Sequence, residues 1–361
     1  MKNLFNTIIP LTIIALVGLS CGDGSTPARP PSWRYAWAFL GSMSAVAEKE
    51  DDTTVYVVGS QGDTAIIYEY DVIRRTGEEF FRAPYADSSL YSVKYGAGDI
   101  WAAGYKTVGG GQCPYVLRWD WDAPQEVPVP SSIVERSLNV VGAVANGGVW
   151  FTGNCGLYYY KDGAWDKRFG YNNAPREMDK VSVAVTPNGV VYIYEYTGYH
   201  GGNAAPHLYT SRDEGRTWDK AKVTLADDYW RLGKMGEAEI ASAGDALYIL
   251  TTFKSTLPDT YVEYTGVAAL EDPASGAGSF HIIFMAPYGP NFFDATYMAF
   301  RSETEGFVTG AETSVALTRG EWVLEETPHG EGFVLEVSCA GRNAYWALIG
   351  SGLYAAAGPG Y

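Results

Sequence analysis

The chain has 361 residues, with 26 Lys+Arg against 42 Asp+Glu and a formal net charge of -16 at pH 7. That balance excludes the basic footprint of a nucleic-acid binder and disfavours charge-driven docking on an anionic membrane surface. Glycine (42), tyrosine (27) and tryptophan (11) are abundant, and no long stretch keeps apolar residues at the helical period, so the composition points to an all-β fold.

Residues 1–20 read as an export signal. Lys2 gives a positive start, Leu4 to Val17 is apolar apart from Asn6, Thr7 and Thr12, and small residues lead into Cys21. The apolar run falls short of a membrane span. Gly18-Leu19-Ser20-Cys21 resembles the lipobox of bacterial lipoproteins, with Gly18 where that family usually has Leu. The resemblance implies that Cys21 becomes the lipid-bearing first residue after cleavage; the alternatives are an ordinary signal peptide cut nearby or an uncleaved anchor. Residues 21–32, rich in Gly, Pro, Ser and Thr, then form a flexible tether. This places the protein at the bacterial cell envelope, held to the membrane by lipid and facing the periplasm or the exterior.

Residues 33–361 are expected to be one β-propeller domain. β-rich runs recur along it: Val55-Tyr-Val-Val-Gly59, Ile100-Trp-Ala-Ala-Gly104, Val149-Trp-Phe-Thr-Gly153, Val191-Tyr-Ile-Tyr194, Leu247-Tyr-Ile-Leu-Thr251, Gly306-Phe-Val-Thr-Gly310 and Tyr345-Trp-Ala-Leu348. Their separation, roughly 40 to 60 residues, is that of a four-stranded blade, and about seven blades follow. The last repeat supplies three strands before the chain ends, while Trp33 to Phe39 is a β-rich run without a partner. Pairing the two removes both open edges, so the N-terminal strand is expected to close the last blade. A stack of separate β-sandwiches is the competing architecture.

One stretch in the fourth repeat is sharper than the rest. Ser211-Arg-Asp-Glu-Gly-Arg-Thr-Trp218 has the residues of a hairpin tip, with Asp213 able to accept from the turn's own amides and Gly215 able to take a positive φ. Ser211, Asp213, Gly215, Thr217 and Trp218 match the five defining positions of the Asp-box, so the chain resembles the sialidase and BNR-repeat β-propellers. In that family the box is a structural turn carried by many unrelated activities. Asp162-Gly163-Ala-Trp165 and Gly320-Glu-Trp322 look like worn copies of it.

The same resemblance implies a ligand site on the opposite face, among the connections between second and third strands. Three of these are long and are expected to be irregular binding loops: Tyr105 to Tyr115, Glu195 to His207 and Thr251 to Tyr264. Tyr105, Tyr115, Tyr196, Tyr199, His200, Tyr261 and Tyr264 are the candidate contacts, since tyrosine offers flat apolar area with a polar tip, suited to sugar rings or a protein partner. Cys113 and Cys155 fall in such loops of neighbouring blades and form a candidate disulfide, the alternative being two separate thiols. Cys339 reads as a small buried apolar group.

Catalysis finds little support in the residues. Phe81-Arg82-Ala83-Pro84 resembles the sialidase Phe-Arg-Ile-Pro signature with one departure, but Arg82 falls at the outer end of the first blade, whereas the family's arginine belongs near the ring centre. Sialidase chemistry needs three arginines converging on a carboxylate and a Tyr nucleophile with its Glu; Arg118, Arg231, Arg301 and Arg342 are candidates by type only. His200, His207, His281 and His329 lack metal-ligand spacing, and Asp51-Asp52, Asp120 with Asp122, and Asp227-Asp228 lack the pattern of a Ca²⁺ loop. No cofactor motif is present. The expected function is a lipid-anchored, non-catalytic module that binds an envelope protein or glycan, with a glycan-active hydrolase of the sialidase-like clan as the alternative.

Overall fold

The computed structural model describes residues 33–357 apart from 50–52, 97, 121, 172–179, 197–205, 227–229, 233–237, 257–262, 276, 288–294, 303, 311–312, 319–320, 327–333, 339–343 and 350–351. Residues 1–32, with the expected signal segment, Cys21 and the expected tether, lie outside them, as does Cys339.

The described chain forms a seven-bladed β-propeller. Blade 1 is β2 (Ser42–Glu48), β3 (Thr54–Gln61), β4 (Thr64–Asp71) and β5 (Thr76–Arg82); blade 2 is β6 (Ser88–Gly96), β7 (Asp99–Val108), β8 (Gly111–Trp119) and β9 (Gln125–Glu126). Blade 3 comprises β10 (Asn139–Ala143), β11 (Val149–Thr152), β12 (Gly156–Lys161) and β13 (Ala164–Gly170), and blade 4 comprises β14 (Lys180–Val185), β15 (Val191–Tyr196), β16 (His207–Ser211) and β17 (Asp219–Lys222). In blade 5 the meander is β20 (Glu239–Ala243), β21 (Ala246–Ser255), β22 (Glu263–Leu270) and β23 (Ser279–Pro287). Blade 6 is β24 (Ala295–Ser302), β25 (Glu305–Gly310), β26 (Thr313–Thr318) and β27 (Glu321–Glu326). Blade 7 joins β28 (Val334–Ser338), β29 (Ala344–Ile349) and β30 (Gly352–Ala357) to β1 (Trp33–Ala38).

The seven recurrent runs are the second strands of the seven blades. A sheet covered on both faces needs apolar side chains at every position, because successive residues point to opposite sides. In β3, Val55 and Val57 pack against Trp346 and Leu353 of blade 7, while Tyr56 and Val58 pack toward Leu117 and Trp119 of blade 2. In β15, Val191 and Ile193 face blade 3 and Tyr192 and Tyr194 face blade 5. The terminal glycines have a steric cause. At Gly59 and Gly104 the first strand bulges inward, and a Cβ would collide with the carbonyl oxygens of Ser42 and Ser89.

The first strands form the inner wall. β2, β6, β10, β14, β20, β24 and β28 touch in that order, and β28 touches β2, so the ring is closed. Serines staple neighbouring members: Val140 N–H donates to Ser92 Oγ at 2.7 Å, and Ile240 N–H to Ser182 Oγ at 3.0 Å. Closure through β1 runs in antiparallel register from Trp33 opposite Ala356 to Ala38 opposite Gly352. Trp37 wedges into the seam, its ring 5.5 Å from Tyr68 of blade 1.

Blade 5 departs from the four-stranded plan. The chain leaving blade 4 adds β18 (Thr224–Leu225) in parallel to the outer edge of β23, then β19 (Trp230–Leu232) pairs the far end of β21, giving a six-stranded sheet.

Candidate functional site

One face of the ring carries the turns between third and fourth strands, the Asp-box of blade 4 among them. The Gly215 amide donates to Ser211 Oγ at 2.8 Å, and Ser211 Oγ donates to Asp213 Oδ1 at 2.9 Å. Asp213 also accepts the Thr217 amide at 2.9 Å and the Thr217 hydroxyl at 2.7 Å. These donors, the Thr217 hydroxyl first, hold the Asp213 carboxyl down at about 2. Glu214 and Gly215 have φ of 58° and 76°. Trp218 Nε1–H reaches both Gly215 O and Arg168 O at 3.1 Å, tying the turn to blade 3. Trp165 makes an equivalent crossing, donating to Pro128 O at 2.9 Å. Nothing in this turn is left open for chemistry; its donors and acceptors are spent on the fold.

On the opposite face, the described residues include the connection between the second and third strands of blade 2. The segment Tyr105 to Tyr115, expected to be an irregular loop, is instead a β-hairpin that continues β7 and β8 to Val108 opposite Gly111. Gly109 and Gly110, at φ of 62° and 83°, make its turn. Asp87 docks it: its carboxylate accepts the Thr107 hydroxyl at 2.6 Å and the Tyr105 hydroxyl at 3.2 Å, and its carbonyl accepts the Thr107 amide at 3.0 Å. Asp87 itself holds φ at 56°, a strained value for a residue with a Cβ. Tyr105 stands 5.6 Å from Tyr91, which projects from a bulge in the inner-wall strand β6 and is 41% exposed. Burial, with Asp87 beside them, raises both phenols above their ordinary value, so both remain neutral donors. Below them Lys106 is buried, its ammonium 2.6 Å from Glu126 and 4.1 Å from the centre of the Tyr85 ring.

The hairpin overturns two expectations. Tyr115 is no surface contact: only 2% exposed, it packs between blades 1 and 2, because a regular hairpin turns alternate residues inward. Cys113 and Cys155 are both free thiols. Cys113 pairs Lys106, two positions farther along the hairpin than Gly104, whereas Gly153, the counterpart of Gly104, already opens the short loop holding Cys155. The Cys113 thiol donates to the Lys106 carbonyl at 3.5 Å within its own hairpin, while Cys155 stays in the β11–β12 loop of blade 3.

The remaining candidates divide. Tyr264 lies within β22 with its ring 5.1 Å from Trp230, a packing role. Tyr196 ends β15, while Tyr199, His200 and Tyr261 fall outside the described residues. Sequence reasoning missed Tyr91, whose only signal is a single aromatic between Leu90 and Ser92. It also missed Glu135, buried in the β9–β10 connection, where it accepts the amides of Asn154 and Cys155 at 2.9 Å and the Tyr158 hydroxyl at 2.8 Å.

The described candidate arginines do not converge. Arg82 lies on the outer strand of blade 1, held by Glu79 at 2.7 Å and by Gln61. Arg118 pairs with Asp99 at 2.7 Å, and Arg301 sits 3.7 Å from Glu305 in blade 6. Arg342 falls outside the described residues, as does the side chain of Arg231. His207 has its imidazole held below the ordinary value by burial and by Lys220. Among the described residues no group of three His, Cys, Asp or Glu side chains is placed to hold a metal ion.

Comparison with solved structures agrees with this architecture. The chain is similar to U3-55K, with a TM-score of 0.58 at 8% identity over 91% of this chain and 100% of that one. It is also similar to the β-propeller domain of Cps50 (Swd1) from Myceliophteria thermophila, with a TM-score of 0.54 at 10% identity over 90% and 99%. At such identities the likeness defines the class alone, a seven-bladed β-propeller. No family profile matches the chain, and no curated protein matches it in sequence.

Proposed function

We propose that this propeller is a lipid-anchored, non-catalytic recognition module of the bacterial cell envelope, which binds a protein or glycan at the mouth formed by Tyr91, Tyr105 and the tip of the blade 2 hairpin. The observation that carries this reading is the Tyr91–Tyr105 pair: two neutral phenols, Tyr91 on the inner-wall strand β6 and Tyr105 on the docked hairpin whose tip carries the exposed Val108. Such a surface offers stacking area and hydrogen-bond tips with little ordering cost. Arg82, Arg118 and Arg301 each lie beside a local carboxylate rather than around a shared centre, which speaks for binding rather than sialidase-type hydrolysis. The resemblance of Ser211–Trp218 to the Asp-box of BNR-repeat propellers supports this reading, and the resemblance of Gly18–Cys21 to a lipobox supports an anchor at Cys21.

The register of β1 also favours this arrangement. Trp33, where the tether joins, lies at the end of blade 7 away from the β29–β30 connection, hence on the Asp-box face. A tether anchored at Cys21 would leave the tyrosine mouth pointing away from the membrane.

The test is capture on an array of envelope glycans, with photo-crosslinking on intact cells from a reactive group placed at Val108. Tyr91→Ala combined with Tyr105→Ala should lose at least tenfold in the affinity of whichever target is captured, given about 1 to 3 kcal/mol for each stacked aromatic. Undiminished capture by the double variant sinks the reading.

A further inference from the structure

On the Asp-box face, residues of blades 4 and 5 line a groove of about 690 Å³. Tyr192 of β15, Tyr248 of β21 and Ile283 of β23 line it, and Asp245, Glu271 and Asp272 contribute carboxylates. Tyr248 lies flat on Phe300, ring centres 4.0 Å apart, which fixes that wall. Arg212 crosses from the Asp-box turn to donate to the carbonyls of Pro273 and Ala274, and Asp219 lies 3.5 Å from its guanidinium. It bridges the two blades with its charge already matched.

Two independent observations point to a ligand. Tyr192 is 1% exposed and lines the groove, where its hydroxyl makes no hydrogen bond within the described residues and keeps contact with solvent. A phenol so enclosed offers the groove a hydrogen-bonding position. The carboxylates, for their part, have only neutral donors. Asp245 accepts from Asn188 Nδ2 at 2.6 Å, Glu271 from Ser279 Oγ at 2.6 Å, and Asp272 from the amides of Ala274 and Ser275 at 2.9 and 3.2 Å. None of the three forms an ion pair among the described residues, on a chain whose net charge is -16. The groove thus combines an unfilled hydrogen-bonding position, aromatic walls and uncompensated negative charge.

We propose that this groove binds a lysine or arginine side chain presented by an extended segment of a partner protein. The cationic head satisfies the Tyr192 hydroxyl and the carboxylates, and the aliphatic stem lies along Tyr248 and Ile283, since long basic side chains bury their stems while their charged ends stay paired. A groove of this volume holds more than one amine, which suits a side chain together with the backbone that carries it. The site is separate from the Tyr91–Tyr105 mouth and does not depend on what that mouth binds.

The experiment is fluorescence anisotropy of a labelled, end-capped peptide of alternating lysine and glycine, titrated with the full-length protein in detergent. Peptides with glutamine or glutamate in place of lysine serve as comparisons. The lysine peptide should bind with an affinity that falls as salt rises, and the other two should not bind. Tyr192→Phe, which removes one oxygen from a packed ring, should weaken binding about fivefold without changing the salt dependence. Asp245→Asn should weaken it and flatten the salt dependence, whereas Glu78→Gln, on the exposed outer strand of blade 1, should leave it unchanged. Binding by Tyr192→Phe as tight as wild type, or equal weakening by Glu78→Gln, would mean diffuse attraction to an acidic surface and overturn the proposal. Butylamine binding as tightly as the peptide would overturn the choice of a protein partner. Should Asp245→Asn fail to fold, Tyr192→Phe carries the test alone.

Discussion

Ser211 and Asp213 divide the work of one turn. Ser211 is 1% exposed, and its oxygen is the acceptor for the buried Gly215 amide, so Ser211→Ala leaves that amide without a partner. The expected loss is about 1 to 3 kcal/mol in denaturant unfolding; an unchanged midpoint would show that the turn contributes nothing to stability. Asp213 acts through its charge. Its carboxyl in the fold is held at about 2, below the unfolded value of about 4, so the native state binds its proton less tightly than the unfolded chain. The stabilisation is complete above about pH 4 and vanishes as pH falls through about 2. Asp213→Asn should therefore melt below wild type at pH 6, with the gap narrowing across that window. A gap that stays constant down to pH 2 would refute the assignment.

Strands and turns differ in how far the residues announce them. The seven second strands are legible because a sheet buried on both faces admits only a continuous apolar run, and because bulging first strands exclude a Cβ at Gly59 and Gly104. The Asp-box is legible because the hydrogen bonds that shape its turn run within residues 211–218. The blade 2 hairpin reads as a loop, since Gly109-Gly110-Gly111 suggests slack, whereas two of those glycines form a tight turn that sets the register of Tyr105 and Cys113. β18 and β19 carry no signal of their own, being short and held by tertiary pairing to β23 and β21. The groove beside Tyr192 is equally silent, as its walls come from two blades. β1 gives the clearest element-scale prediction. Deleting Trp33 to Ala38 uncovers the edge of β30 and removes Trp37 from the seam. The truncated protein should melt well below wild type or aggregate, while deleting Gly22 to Ser32 should do neither. Equal melting of the two would show that the seam does not depend on β1.

At the scale of the molecule, a rigid ring presents two faces with different chemistry, tyrosines at one mouth and an acidic groove on the other side. The address of that ring is proposed to rest on Cys21, so Cys21→Ser should abolish labelling by a fatty-acid probe and release the protein from the membrane fraction; persistent labelling would refute lipidation. The pairing of β1 with β30 also imposes an order in time. The strand translated first is the strand paired last, and it must wait until the opposite end of the chain has been made and delivered. A product that stops before Gly352 has nothing to offer β1, so an interrupted chain keeps two raw edges that proteases and holdases can recognise. The seam thus acts as a check on synthesis, since a chain that stops short of β30 leaves the edges of β1 and β29 uncovered.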